Sequence, residues 1–210
     1  MRIGVIGAGN MGIAMGTIWA AKGHQILFSF TNDSMRLQKA VAAAGVNGRS
    51  GTPAEAVAFG EVVLLAVPWA AVGEALKVAG LLKSKVLFSC VNCLKPDFSG
   101  LAVGTTTSAA EEIARAAPDA RVVEALPPMA EVLAAAHHRL AGQQISTFYC
   151  GNDAEAKAIV AGMLRDLDLE PIDAGPLTSA RYIEPNGMLQ VQLAYRMGLC
   201  SRIGIKLLRD

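Results

Sequence analysis

Aromatic side chains are scarce in this chain: two Trp, three Tyr and six Phe among 210 residues. The apolar share is nonetheless 52%, which leaves ample material for a buried core and argues against disorder. An excess of either charge is also missing. Nineteen basic and eighteen acidic residues give a formal net charge of +1, and neither sign gathers into a stripe or tail, so nucleic acid is not expected as a partner. No run reaches the ~20 uninterrupted apolar residues that a membrane-spanning helix needs. The apolar stretch Ile3–Ile6 is too short for a secretory leader and leads into glycines, so a cytoplasmic setting is expected. Cysteine is limited to Cys90, Cys93, Cys150 and Cys200, which do not make a disulfide framework in a chain of this length and suit a reducing compartment.

What is present is an alternation of strands and helices. Short apolar runs predict strands at Arg2–Gly7, Gln25–Phe30, Val46–Arg49, Glu61–Val67, Lys85–Val91, Arg121–Leu126, Gln144–Cys150 and Glu170–Asp173. Helical spacing falls between them, at Asn10–Lys22, Asp33–Ala44, Ala70–Ala79 and Asp153–Leu167. Caps mark further starts. Thr52 precedes Pro53 at a first helical position, and Ser108 with Glu111 three residues on forms the spacing of a capping box for a helix to Ala117. The tail from Thr178 to Leu199 reads as helical, with a break expected near Pro185–Gly187. This order predicts an α/β fold with a doubly wound, mostly parallel sheet of Rossmann type over residues 1–175, and a small C-terminal helical extension over 176–210. The extension is expected to pack on the cleft or at a subunit interface. Its apolar residues Met188, Leu189, Val191, Leu193, Met197 and Leu199 carry few charges between them, which favours a homodimer.

Gly7-Ala8-Gly9-Asn10-Met11-Gly12 has the spacing G-x-G-x-x-G. The spacing is weak alone, but here a strand leads in, a helix leads out and a second strand follows at the right distance. Gly7 permits the tight turn, Gly9 lets the main chain approach a pyrophosphate, and Gly12 lets the helix lie close to the strand. The helix N-terminus then offers N–H groups and a positive dipole end to phosphates. At the end of the second strand an acidic residue would select NAD and a basic one NADP. The sequence there is Phe30-Thr31-Asn32-Asp33, which meets neither rule cleanly. Thr31 and Asn32 are neutral hydrogen-bonders, Asp33 reads as a helix cap, and Arg36, one turn on, is placed to reach a phosphate; the balance leans to NADP(H), with NAD(H) left open.

Taken together, these motifs resemble the family of NADPH-dependent reductases of the deazaflavin coenzyme F420. The resemblance runs along essentially the whole chain and rests on Gly7–Gly12, Val67-Pro68-Trp69, Asn92, the run Thr107–Ala114, and Asp173–Leu177 followed by Arg181 and Gly204–Leu207. It implies hydride transfer between a nicotinamide and a planar redox cofactor, F420 first, with the protein supplying orientation and a dry cleft rather than an acid–base pair. No catalytic side chain is therefore singled out. Val67, Pro68, Trp69 and Asn92 would lie along the nicotinamide half, at the carboxyl ends of their strands. The segment Pro127-Pro128-Met129, with Cys93, would line the second-substrate cleft. In the family the segment after the sixth strand commonly has His or Asn and Thr before Pro-Ala, where this chain reads Leu126-Pro127-Pro128-Met129-Ala130, so a changed second substrate is compatible with the chain. A reductase of another small substrate, and a sensor that binds NAD(P) without catalysis, are the alternatives.

Two further groupings read as structural. Cys90-Val91-Asn92-Cys93 is a C-x-x-C that straddles a strand end rather than opening a helix, so neither a redox pair nor a metal site is expected. His137 and His138 are adjacent, point apart on a helix and are expected at a solvated helix end.

Overall fold

The computed structural model describes residues 1–210 apart from Asn32. Eight strands form one sheet: β1 (Arg2–Ile6), β2 (Gln25–Ser29), β3 (Gly48–Ser50), β4 (Val62–Leu65), β5 (Val86–Ser89), β6 (Arg121–Ala125), β7 (Ser146–Gly151) and β8 (Glu170–Asp173). Their order is β3-β2-β1-β4-β5-β6-β7-β8. The chain winds outward from β1 to β3, then returns to pair β4 with the free side of β1, so the switch in winding direction falls between β1 and β4. Ligands of open α/β sheets bind at the carboxyl ends of the strands beside such a switch.

The first six strands in chain order run parallel, and β7 runs antiparallel to β6. The cause lies in the connection. Between β6 and β7 the only helix is α6 (Ala130–Leu133), four residues long, too short to carry the chain back to the starting edge. A full crossover helix, α7 (Ala154–Asp166), then makes β8 parallel to β7.

Helices cover both faces. On one, α1 (Asn10–Ala21), α2 (Ser34–Ala44), α6 and α7 enclose Ile3, Val5, Met15, Trp19, Phe28 and Phe88. On the other, α3 (Pro53–Phe59), α4 (Val72–Ala79), α5 (Ala109–Ala116) and α8 (Ala180–Val191) enclose Ile6, Leu65, Leu87, Ile113 and Ile183. Trp19 is the largest fully buried side chain, and its indole Nε1 donates to the Met163 carbonyl at 3.0 Å, so α1 and α7 are locked together without an unpaired polar atom. Small residues set the spacing. A Cβ on Gly12 would collide with the Gly7 carbonyl, and one on Gly16 would sit 2.5 Å from the Phe28 ring. One turn apart, these two glycines let α1 lie directly on β1 and β2.

The caps form as the sequence indicates. Thr52 and Glu55 make a complete capping box, Asp33 accepts from the Arg36 N–H, and Ser108 accepts from the Glu111 N–H. Three local expectations shift. Gly45–Asn47 forms a 3-10 turn with Val46 exposed, so β3 begins at Gly48. The helix before His137 stops at Leu133, short of the alanine run Ala134–Ala136. The His138 ring Nδ1 instead lies 2.9 Å from the Leu167 carbonyl, and Arg139 pairs with Asp168. Most informative, α8 passes through Pro185 without a break and continues as a π-type turn over Gln192–Arg196. The missing N–H costs one helical bond, but Arg181 and Glu184 anchor the helix on the preceding turn, as described below. The final residues return to the sheet: the Ser146 N–H donates to the Ile205 carbonyl at 2.8 Å, and Lys206 pairs with Glu170.

The glycine spacing gives a stability test. Gly16→Ala is expected to lose about 1–3 kcal/mol through overpacking against Phe28. Gly162→Ala, where a Cβ meets nothing within 4 Å, is expected to gain about 0.5–1 kcal/mol from helix propensity. Denaturant unfolding of both variants measures this; equal stabilities would contradict the close approach of α1.

Candidate functional site

The carboxyl ends of β1, β2, β4, β5 and β6 meet above the switch point. At β1 the chain turns through Gly7, whose φ of 111° favours glycine. The Ser29 carbonyl accepts from both the Gly7 and Ala8 N–H groups, at 3.0 and 3.2 Å, and the Ser29 hydroxyl donates to the Val5 carbonyl at 2.8 Å. Ser29 thus shapes the turn from the neighbouring strand, a role that nothing in the sequence pattern signalled. Gly9 is the N-cap of α1 and no side chain caps the helix. The first-turn amides therefore face outward, and a Cβ on Gly9 would project into open space. Amides without a side-chain cap, at the positive end of a helix, form a cradle for an anion.

A cation stands beside that cradle. The Arg36 guanidinium Nη2 donates to the Asn10 side-chain oxygen at the first residue of α1. Its own backbone N–H is the one capped by Asp33, so Asp33 is occupied as a cap. Phe30, just after β2, has φ 58°, a left-handed conformation that costs roughly 1–2 kcal/mol for a residue with a side chain. Through this turn Thr31 reaches the Asp33 N–H with its hydroxyl oxygen at 3.2 Å. Asn32, expected beside Thr31, lies outside the described residues.

At the end of β4, Val67 is buried, Pro68 exposed and Trp69 half-buried against the α4 face; Trp69 opens a short 3-10 turn that leads into α4. At the end of β5 the Asn92 Nδ2 donates to the Glu184 carbonyl of α8 at 3.2 Å. Its Oδ1 is buried with no hydrogen-bond partner among the described residues. A buried amide oxygen without a donor is a costly arrangement that a ligand N–H or O–H would relieve. After β6, Pro127 and Met129 are half-buried and Pro128 is buried. Beside this segment a groove of about 270 Å³ runs between α1 and α6, lined by Asn10, Ile13, Ala14, Ala130, Glu131 and Ala134.

Cys93 departs from expectation. It is fully buried rather than in a cleft, and its Sγ lies 3.0 Å from the Glu184 carboxylate and 3.1 Å from the Val103 carbonyl, with one thiol proton to share between them. The loop that follows folds back over it, the Ala102 N–H donating to the Cys93 carbonyl at 2.6 Å. Burial pushes the Cys93 and Cys150 thiols up to about 12 and raises Cys90 further still. Cys200 alone of the four is exposed. A maleimide at pH 8 is accordingly expected to label Cys200 quickly in the native chain and all four thiols after denaturation; rapid native labelling of Cys93 or Cys150 would contradict their burial.

Sequence reasoning missed two acidic residues. Glu184 is 1% exposed and accepts from the Ala109 and Ala110 N–H groups at 2.9 and 3.1 Å. Glu124 on β6 lies alongside Ser89 and opposite Cys150, is fully buried, and has no partner for either carboxyl oxygen among the described residues. Burial raises the Glu124 carboxyl well above the ordinary range. The folded chain therefore keeps this proton at pH values where the unfolded chain has released it, so the associated stability is present at low pH and lost as pH rises above the ordinary carboxylate value. Glu124→Gln is expected to remove that part of the pH dependence and to gain stability over wild type between pH 5 and 8 in denaturant titrations. A parallel profile in both proteins would show that Glu124 is not the group responsible.

The strand order and the uncapped helix above a glycine turn define a dinucleotide-binding protein of Rossmann type. Residues 2–93 match the family described as NADP oxidoreductase, coenzyme F420-dependent. Over the full length of both chains, the protein is 30% identical to a candidate F420-dependent NADP reductase from Arthrobacter, with a TM-score of 0.88. The chain belongs to this family of NADP-dependent oxidoreductases. A hypothetical protein from Sinorhizobium meliloti matches with 23% identity, covering 86% of this chain and 87% of that one, at a TM-score of 0.74. A reductive aminase from Aspergillus terreus, solved with NADPH and ethyl-5-oxohexanoate, shares the fold at 20% identity and a TM-score of 0.68; the match covers 91% of this chain and 62% of the aminase. No helix among the described residues is long and apolar enough to cross a membrane.

Proposed function

We propose that this chain binds NADP(H) above the β1–β4 switch point and serves hydride exchange between its nicotinamide and a second, planar redox cofactor, with F420 the leading candidate. The observation that carries the reading is the uncapped N-terminus of α1, open at Gly9, with the Arg36 guanidinium held beside it on Asn10. The main-chain amides of Gly9, Asn10, Met11 and Gly12 would hold the pyrophosphate. Arg36, with Thr31, would take the 2′-phosphate that distinguishes NADP from NAD, the guanidinium fork matching its oxygens. Val67, Pro68 and Trp69 would bound the nicotinamide half, and the unpartnered Asn92 Oδ1 would accept from its carboxamide. When bound, the nicotinamide supplies two-electron hydride chemistry. The protein's own contribution is placement and exclusion of water, with the Pro127–Met129 segment and the adjoining groove available to the second substrate.

The exposed apolar residues Tyr182, Leu189, Tyr195, Met197 and Leu199, on α8 and the segment after it, support a homodimer built on this face. Four free cysteines support a reducing, cytoplasmic setting.

Titration with NADPH and NADH, followed by Trp69 emission, tests the coenzyme. Gly9→Val is expected to keep the fold, since a Cβ there meets nothing within 4 Å, and to weaken NADPH on the order of a hundredfold by filling the pyrophosphate position. Arg36→Ala is expected to weaken NADPH about tenfold and leave NADH unchanged. Retained affinity in Gly9→Val would refute the assigned cradle, and an equal loss of both coenzymes in Arg36→Ala would refute the phosphate contact. Absorbance change on mixing NADPH, F420 and the protein tests the second substrate; none with F420 but turnover of a small imine would favour the other class of reductase.

A further inference from the structure

We propose that Glu184 is a positioning residue for the coenzyme's nicotinamide end, acting through Asn92; the inference rests on the coenzyme reading above. Glu184 lies midway along α8, and both its side chain and its main chain are committed. Its carboxylate accepts from the Ala109 N–H, the Ala110 N–H and the Cys93 thiol. Ser108 serves the Glu111 N–H at 3.2 Å, so the first three amides of α5 are all engaged, two of them by Glu184. One turn earlier on α8, Arg181 grips Glu111 with two bonds, at 2.9 and 2.6 Å. The pair Arg181 and Glu184 therefore clamps α8 onto the first turn of α5, with the carboxylate at the positive end of that helix. Glu124 has no such donors, whereas Glu184 is surrounded by them, and burial raises both carboxyls above the ordinary range.

The clamp bears directly on Asn92. The Glu184 carbonyl receives the Asn92 Nδ2, and the Glu184 carboxylate receives the thiol of the next residue, Cys93. Gly187, one turn further along α8, leaves room for the same amide: a Cβ there would stand 2.7 Å from Asn92 Nδ2. One N–H of the Asn92 amide is given to α8 and the Oδ1 has no donor among the described residues, which leaves an acceptor of fixed orientation just after β5. An acceptor of that kind suits the N–H of a carboxamide. Two main-chain amides, the Cys93 thiol and the Arg181–Glu111 pair thus hold the stretch of α8 whose carbonyl receives Asn92.

The experiment compares NADP⁺ with 2′,5′-ADP, which carries the adenosine half and the 2′-phosphate but no nicotinamide. Calorimetric affinities of both are measured for wild type, Glu184→Gln, Glu184→Ala, Asn92→Ala and the Asn92→Ala/Glu184→Ala double variant. Glu184→Ala and Asn92→Ala are each expected to weaken NADP⁺ about tenfold, Glu184→Gln by less, and the double variant no more than either single one, with 2′,5′-ADP unchanged throughout. A parallel loss of both ligands would make Glu184 a general stability residue and overturn the inference, as would additive losses or full NADP⁺ affinity in Glu184→Ala. Should Glu184→Ala not fold, the near-isosteric Glu184→Gln decides by the same ratio. Failure of wild type to bind either ligand would instead strike the coenzyme reading itself, and the inference with it.

Discussion

The architecture depends on how closely α1 approaches β1. Gly12 and Gly16 strip side chains from the contact, and Gly7 turns the chain in a conformation open to glycine. The Ser29 carbonyl, reaching over from β2, ties down the two amides of the turn. What remains is a set of first-turn amides directed at solvent above the switch in strand order. Every other feature of the site is arranged around that end of the helix. Arg36 is brought to it by the cap on α2, and the ends of β4, β5 and β6 line the path away from it.

Much of this was legible in the sequence, for definite reasons. The glycine spacing marked the turn between β1 and α1 because a strand, a helix and a second strand frame it. The caps at Asp33, Thr52 and Ser108 use local hydrogen bonds that depend only on residues three apart. Strand β8 emerged within the expected bounds because a helical pattern ends just before it and Gly175-Pro176 close it soon after. The reversal of β7 was not legible, since apolar alternation carries no direction; only the shortness of α6 reveals it.

The site was less legible wherever long-range contacts decide. Pro185 looked like a helix breaker, yet α8 passes through it because Arg181 and Glu184 are held by residues some seventy positions away. Cys93 looked like a cleft residue beside Asn92, yet it turns inward toward the same carboxylate. Glu184 itself carried no signal, because an acidic residue in a helix is ordinarily a solvated one. A local pattern hinted at it: a helix start with the sequence Ser-Ala-Ala-Glu can cap only one of its own amides with Ser108, and the others need an outside acceptor.

The central claim is that the main chain from Gly9 to Gly12 holds the coenzyme's pyrophosphate. Backbone amide resonances followed during NADPH addition test it most directly. The account requires the largest displacements at Gly9, Asn10, Met11 and Gly12, with smaller ones at Arg36 and Asn92. Saturable NADPH binding that leaves those four amides unmoved would place the coenzyme elsewhere and contradict it.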